Sequence, residues 1–146
     1  MNINHKSKIM KNHILYIILI LLLSVTLASM TQVNEQQKEP WKAPSKYEKM
    51  ENPYAGVADD DKIGRILYSK HCKSCHGTKG KGDGNKAASI DTPIGDFSDP
   101  AFSKQSDGSL YYKTYFGRDD MPGFEKKITD EEERWQLINY LRELTK

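Results

Sequence analysis

Cysteine is scarce in this chain of 146 residues, and neither sign of charge dominates it. Its two cysteines, Cys72 and Cys75, leave none for a disulfide if both hold a cofactor. The 22 Lys and Arg residues nearly balance the 20 Asp and Glu residues, which does not indicate a nucleic-acid-binding protein. The sequence also lacks internal repeats and low-complexity blocks. At this length, a single small domain is expected.

The sequence has only one long apolar run, at residues 14–30. Seventeen helical residues span roughly 26 Å, slightly less than a hydrocarbon core of about 30 Å. The best signal-peptidase site, at Ala28, is an imperfect match. We therefore predict that residues 1–30 are an N-terminal membrane anchor, with a cleaved signal peptide as the alternative. In both cases the basic residues before the run stay in the cytoplasm and the rest of the chain lies outside; these are Lys6, Lys8 and Lys11.

Residues 31–58 are rich in Gln, Glu, Lys and Pro and poor in apolar residues. This composition predicts a tether that leads to a folded domain at 59–146. Trp41, Tyr47 and Tyr54 depart from it, because a solvated linker has little use for aromatic side chains. We expect these rings to pack on the domain or on a partner, and we favour the domain.

The motif with the clearest chemistry is Cys72-Lys73-Ser74-Cys75-His76. In a helical turn, the two thiols and the imidazole share one face because their spacings are three and four residues. A c-type haem requires this arrangement, in which both thiols form thioethers to the porphyrin and the imidazole binds the iron. The motif predicts one covalently bound haem c.

Three blocks of the sequence resemble the class I monohaem cytochrome c family: residues 61–76, residues 117–124 and a final helix that contains Trp135. The resemblance implies an all-α fold, small and helical, around one covalently bound haem. It also implies one-electron transfer as the activity. By the same resemblance, the carbonyl of Pro93 accepts a hydrogen bond from Nδ1 of the axial histidine, His76.

Met121 is the predicted sixth ligand of the haem iron. The other four methionines lie in the predicted leader or tether. Pro122 prevents the preceding turn from continuing as regular helix, and Gly117 and Gly123 give the chain freedom on both sides. Such a loop can turn the thioether inward, and His/Met ligation is an established haem pattern. The predicted metal ligands are therefore His76 and Met121.

Two helices are predicted to cross closely. The first covers residues 59–70, and its leading aspartates suit the positive end of the helix dipole. Gly64 costs about 1 kcal/mol relative to alanine inside a helix, so we expect a second helix close to it. The C-terminal helix begins at residues 129–132 with a capping-box pattern. Its predicted inward residues are Trp135, Ile138 and Leu141.

The middle of the domain is predicted to contain one more helix and one loop. The helix covers residues 107–116, with Ser106 as its N-cap and Gly117 as its stop. The glycine-rich residues 77–84 match neither a Walker A nor a dinucleotide-binding pattern. We predict that they turn the chain tightly around the porphyrin edge.

Other classes of protein also use Cys-x-x-Cys. A thiol oxidoreductase expects a βαβ pattern, whereas the segments here are helical. A zinc module that used His71 as its fourth ligand would place four ligands within six residues, which strains a tetrahedral site. A haem enzyme needs an open coordination position, and ligation by both His76 and Met121 leaves none.

We therefore predict an electron-transfer protein and not an enzyme. Its expected partners are a redox donor and a redox acceptor, such as membrane respiratory complexes. Its expected location is the cell inner membrane, with the haem domain on the periplasmic side, or the periplasm if the leader is cleaved. The alternative function is that of a haem c subunit in a larger membrane oxidoreductase complex.

Overall fold

The computed structural model describes residues 13, 16, 17, 20 and 40–145. Most of the predicted leader and the first part of the predicted tether lie outside these residues, so the membrane anchor stays a prediction. Within the described residues, no helix is both long enough and apolar enough to span a membrane.

Residues 40–145 are mainly helical, as predicted. The elements in chain order are α1 (Ser45–Glu48), α2 (Ile63–His71), α3 (Lys73–His76), a 3-10 turn (Ala87–Ser89), α4 (Pro100–Ser103), α5 (Asp107–Phe116), β1 (Gly117–Arg118), β2 (Met121–Pro122) and α6 (Glu131–Glu143). The two strands are the exception to the predicted all-α class. They form a short antiparallel pair in which Arg118 lies opposite Met121.

Helix α2 starts later than predicted, at Ile63 instead of Asp59. Lys62 adopts the left-handed conformation, with φ of 57°, so the helix cannot extend back through it. The carboxylate of Asp59 instead accepts hydrogen bonds from the backbone N–H groups of Ile63 and Gly64, both at 2.8 Å. The acidic start thus stabilises the first turn from outside the helix.

Helices α2 and α6 cross at Gly64, which confirms the predicted close approach. A β-carbon at Gly64 would lie 2.1 Å from the carbonyl oxygen of Gln136. Only glycine allows the two backbones to come this close. Helix α6 is capped by Asp130, whose carboxylate accepts from the N–H of Glu133 at 3.0 Å. Its inward residues include the three predicted ones and form much of the core: Trp135, Leu137, Ile138 and Leu141.

Helix α5 has the predicted limits. The Ser106 hydroxyl accepts a hydrogen bond from the N–H of Ser109 at 3.2 Å, and Gly117 ends the helix with φ of 70°. These local signals fix both ends, because the cap satisfies an N–H group that the helix cannot pair and glycine tolerates positive φ.

The compact unit begins at Trp41, before residue 59, where the sequence predicts the domain to start. The ring of Tyr47 packs against the rings of Tyr112 at 4.9 Å and Phe116 at 5.7 Å. The side-chain amide of Asn52 donates to Asp107 at 3.0 Å and to Asn139 at 2.8 Å. Composition predicted a tether, because it carries no information on contacts with residues far along the chain.

Candidate functional site

The turn from α2 into α3 places the two cysteines and the histidine of the motif. Cys72 ends α2, and its carbonyl accepts hydrogen bonds from the N–H groups of Cys75 at 3.1 Å and His76 at 2.9 Å. Gly77 then stops α3 with φ of 80°. The phenol of Tyr68 donates to the carbonyl of Gly77 at 2.6 Å and ties the end of the motif back to α2. The predicted one-sided helical turn is therefore present.

A large cleft opens beside this turn. Its atom-free space is about 1100 Å³, including the open mouth. Cys72, Cys75 and His76 line it, and so does Met121 from β2. The four residues that the sequence singled out thus share one cleft.

The imidazole of His76 is half-buried, and its buried Nδ1 has no hydrogen-bond partner among the described residues. Burial lowers its pKa, which favours the neutral ring. The ring of Phe97 packs against it with 4.8 Å between centroids. Pro93 lines the same cleft, but the predicted hydrogen bond from Nδ1 of His76 to its carbonyl is not formed.

A tight turn holds Met121 at the cleft. A β-carbon at Gly117 would lie 2.3 Å from the carbonyl oxygen of Met121, so the two short strands pack without side-chain bulk between them. The N–H of Phe124 donates to the carbonyls of Thr114 and Tyr115 at 3.1 and 3.0 Å. These bonds attach the Met121 loop to helix α5.

A second contact ties the Met121 loop to the segment around Pro93. The carboxylate of Asp120 accepts from the backbone N–H of Thr92 at 3.1 Å and from its hydroxyl at 2.5 Å. Neither residue was singled out from the sequence. A Thr and an Asp with 27 residues between them carry no local signal for this pairing.

Cys72 has the chemistry of a buried thiol and not of a redox nucleophile. Both cysteines are free. Burial, together with the neighbouring Cys75, raises the pKa of the Cys72 thiol to about 12. Catalytic thiols of oxidoreductases have lowered pKa values instead. Within residues 40–145, the only strands are the antiparallel pair, so the βαβ pattern of that class is also missing there.

A model of the cytochrome c family matches residues 62–145. This chain belongs to the cytochrome c family. Haem c, with its iron, is therefore its covalently bound cofactor, and a cytochrome c domain implies haem-based electron transfer. No curated protein matches the chain.

Among solved structures, this cytochrome is similar to a chain of a reducing HAO-like protein complex from Kuenenia stuttgartiensis. The two chains are 25% identical, with a TM-score of 0.54. The match covers 76% of this cytochrome and 53% of the other chain. This cytochrome thus spans about half the length of the structure that it resembles.

The residues of the cleft fit haem c. Two unpaired thiols and a neutral imidazole are the groups that bind its vinyl carbons and its iron. Among the described residues the buried Nδ1 of His76 has no hydrogen-bond partner, and the ring packs against Phe97. Apolar side chains supply much of the remaining lining, as a porphyrin face requires: Ile90, Ile94, Phe97, Phe102, Leu110 and Leu141.

Sequence reasoning missed several cleft residues. Trp41, Lys113 and Arg118 all line it. The only signal for Trp41 was an aromatic residue inside a polar segment, and the two cations lie in a predicted helix and loop where exposed charges are ordinary.

Proposed function

We propose that this cytochrome carries single electrons, with thioether attachment of haem c at Cys72 and Cys75 and axial ligation of its iron by His76 and Met121. One observation supports this proposal above the others: these four side chains, from two separate parts of the chain, line the same cleft. Haem c supplies an iron that cycles between the ferrous and ferric states.

The protein's part in this function is to hold both ligands in place. Hydrogen bonds to α5 fix the Met121 loop, and the Tyr68 phenol fixes the end of the Cys-His turn. Ligands that move little on oxidation allow fast electron exchange. Apolar lining keeps water from the iron, and a thioether ligand raises the reduction potential. No acid or base is required.

Replacement of Met121 tests this assignment. Met121→Leu should keep the covalent haem, because the attachment residues are unchanged, but it should open the iron and lower the reduction potential. The reduced variant should bind carbon monoxide, and the ferric variant should lose the weak red absorption band that reports sulfur-to-iron bonding. Met121→His should restore six-coordination at a potential below that of the unmodified protein.

Met50 provides a matched control, since it is half-buried and packs against the core but does not line the cleft. Met50→Leu should leave the red band, the potential and the resistance to carbon monoxide unchanged. If the unmodified protein lacks the band and binds carbon monoxide readily, Met121 is not a ligand and the function moves to a sensor or an enzyme.

A second candidate function is that of a haem subunit in a larger oxidoreductase complex. The similar chain from Kuenenia stuttgartiensis comes from a protein complex, and it is longer than this one. Gentle purification from native membranes separates the two candidates. A carrier should elute alone at low mass, and a subunit should elute with the same proteins in each preparation.

The proposed location is the outer side of a bacterial-type cytoplasmic membrane, with the N-terminal residues as anchor. The support is the order of the sequence, in which three lysines precede the apolar residues 14–30. Most of the protein should then sediment with membranes and keep its N-terminus. A soluble mature chain that begins near Ser29 would instead establish a cleaved signal peptide.

A further inference from the structure

Trp41 contributes to the cofactor cleft from outside the family-matched region. It is the first residue of the compact unit, whereas the cytochrome c match begins at residue 62. Its half-buried ring lines the cleft. No feature of the family resemblance gives this residue a role.

Two cations pack on the ring of Trp41. The ammonium nitrogen of Lys113 lies 5.4 Å from the ring centroid, and the guanidinium carbon of Arg118 lies 4.9 Å from it. Both distances fall within the range of cation–π contacts. Both cations also line the cleft. Two positive charges therefore lie next to the tryptophan ring in one part of the cleft wall.

Placing two cations beside an apolar cleft costs free energy. Burial and the nearby Arg118 both lower the pKa of Lys113. Gln105 accepts a hydrogen bond from its ammonium group, but this amide carries no charge. Arg118 pairs with the exposed Asp119 at 3.2 Å. An anion in the cleft would relieve the repulsion between the two cations.

Haem c supplies such anions, because it carries two carboxylates on one edge of an otherwise apolar ring. We propose that Trp41, Lys113 and Arg118 form the seat for the haem carboxylates, in which the two cations contact the carboxylates and Trp41 positions the cations. This inference rests on the proposed function, since it requires haem in this cleft.

The seat has a measurable effect on the reduction potential. Cations beside the carboxylates hold them ionised across the neutral pH range and favour the ferrous iron electrostatically. Loss of a cation should lower the potential. It should also raise the carboxylate pKa, so that the potential falls with rising pH where it was previously flat, because the ionised carboxylate favours ferric iron.

Other titratable groups face this part of the cleft and remain unchanged in every variant. Those that line the cleft are Asp120, His71 and His76. Glu48 interacts electrostatically with Lys113. A change in the pH profile that appears only when a seat residue is replaced is therefore assigned to the seat.

The experiment measures the reduction potential of the haem-loaded full chain from pH 5 to pH 8. Arg118→Gln and Lys113→Gln should each lower the potential and introduce a pH-dependent slope. Arg118→Lys should restore most of the unmodified profile. Trp41→Ala should shift the potential in the same direction although it removes no charge, and Trp41→Phe should recover it. Lys126→Gln is the matched control, since it removes one exposed positive charge from outside the cleft and should leave the slope unchanged.

Haem staining and the red absorption band, recorded on the same samples, separate this inference from the proposed function. Variants that keep covalent, six-coordinate haem and show the unmodified potential at every pH would overturn the carboxylate seat while leaving the proposed function intact. A slope that appears equally in Lys126→Gln would also overturn it. If a glutamine variant does not fold, the Arg118→Lys and Trp41→Phe pair decides: both must stay closer to the unmodified profile than Trp41→Ala.

Discussion

The crossing of α2 and α6 gives the sharpest prediction for stability. Gly64→Ala adds one methyl group where the helices are in contact. The new β-carbon would lie 2.1 Å from the carbonyl oxygen of Gln136 and 2.9 Å from the β-carbon of Tyr140. The closer of these is a backbone atom in the middle of a helix, so it cannot rotate away. The helices must separate instead.

The expected loss of stability follows from two opposing effects. Non-bonded atoms need roughly 3.5 Å, so the crossing must open by more than 1 Å. Overpacking of this kind costs about 1–3 kcal/mol of stability. Because the neighbouring atom belongs to a rigid backbone, we expect Gly64→Ala to cost an amount at the upper end of this range. Alanine recovers about 1 kcal/mol of helix propensity. The net destabilisation is about 2 kcal/mol, which lowers Tm by roughly 10 °C in a domain of this size.

Thermal and urea unfolding of the haem-loaded protein measure this loss. Ser69, exposed on the same helix, provides the controls. Ser69→Ala should change stability by less than about 0.5 kcal/mol. The free energy of unfolding of Ser69→Gly should be about 1 kcal/mol lower than that of Ser69→Ala, which measures the effect of helix propensity in this helix. A Gly64→Ala variant as stable as the unmodified protein would refute the close crossing.

Two further predictions concern the haem and the N-terminal segment. Cys72→Ala or Cys75→Ala should each leave one thioether, and the double variant should lose covalent haem on a denaturing gel stained for haem; covalent haem in the double variant would contradict the attachment. Asn52→Ala should destabilise the domain by about 2 kcal/mol, because it removes bonds to Asp107, Asn139 and Tyr54. Urea unfolding measures this, and an unchanged midpoint would mean that these bonds contribute no stability.

The sequence predicts elements well where the controlling interactions are local. Ser106 and Gly117 mark both ends of α5 because a cap and a positive-φ stop act within one turn. Gly64 indicates the helix crossing because glycine lowers helix stability at an exposed position and is useful only where another backbone lies close. The start of α2 was placed too early, since nothing in the sequence signals that Lys62 takes a left-handed conformation.

Long-range contacts explain what the sequence did not predict. Asn52 bonds to residues 55 and 87 positions away, and such pairs leave no periodic pattern. The cations that Trp41 contacts on α5 and β1 are also far along the chain, so this contact leaves no pattern either. Within the site, the Cys-His turn is local and was predicted directly. Met121 was singled out by elimination among the methionines and by the proline and glycines of its loop, and the structure places it in the same cleft as His76.

Three of the segments that line the cleft come from distant parts of the chain, and each is fixed to a helix. Hydrogen bonds join the Cys-His turn to α2 and the Met121 loop to α5, while the cations on Trp41 join the N-terminal segment to α5 and β1. An electron carrier needs ligands that stay in place when the charge on the iron changes. A small domain buries too little apolar surface to hold three separate segments by core packing alone. These specific contacts therefore hold the ligands in place, as a larger core does in a larger protein. Their loss should alter the reduction potential before it unfolds the domain.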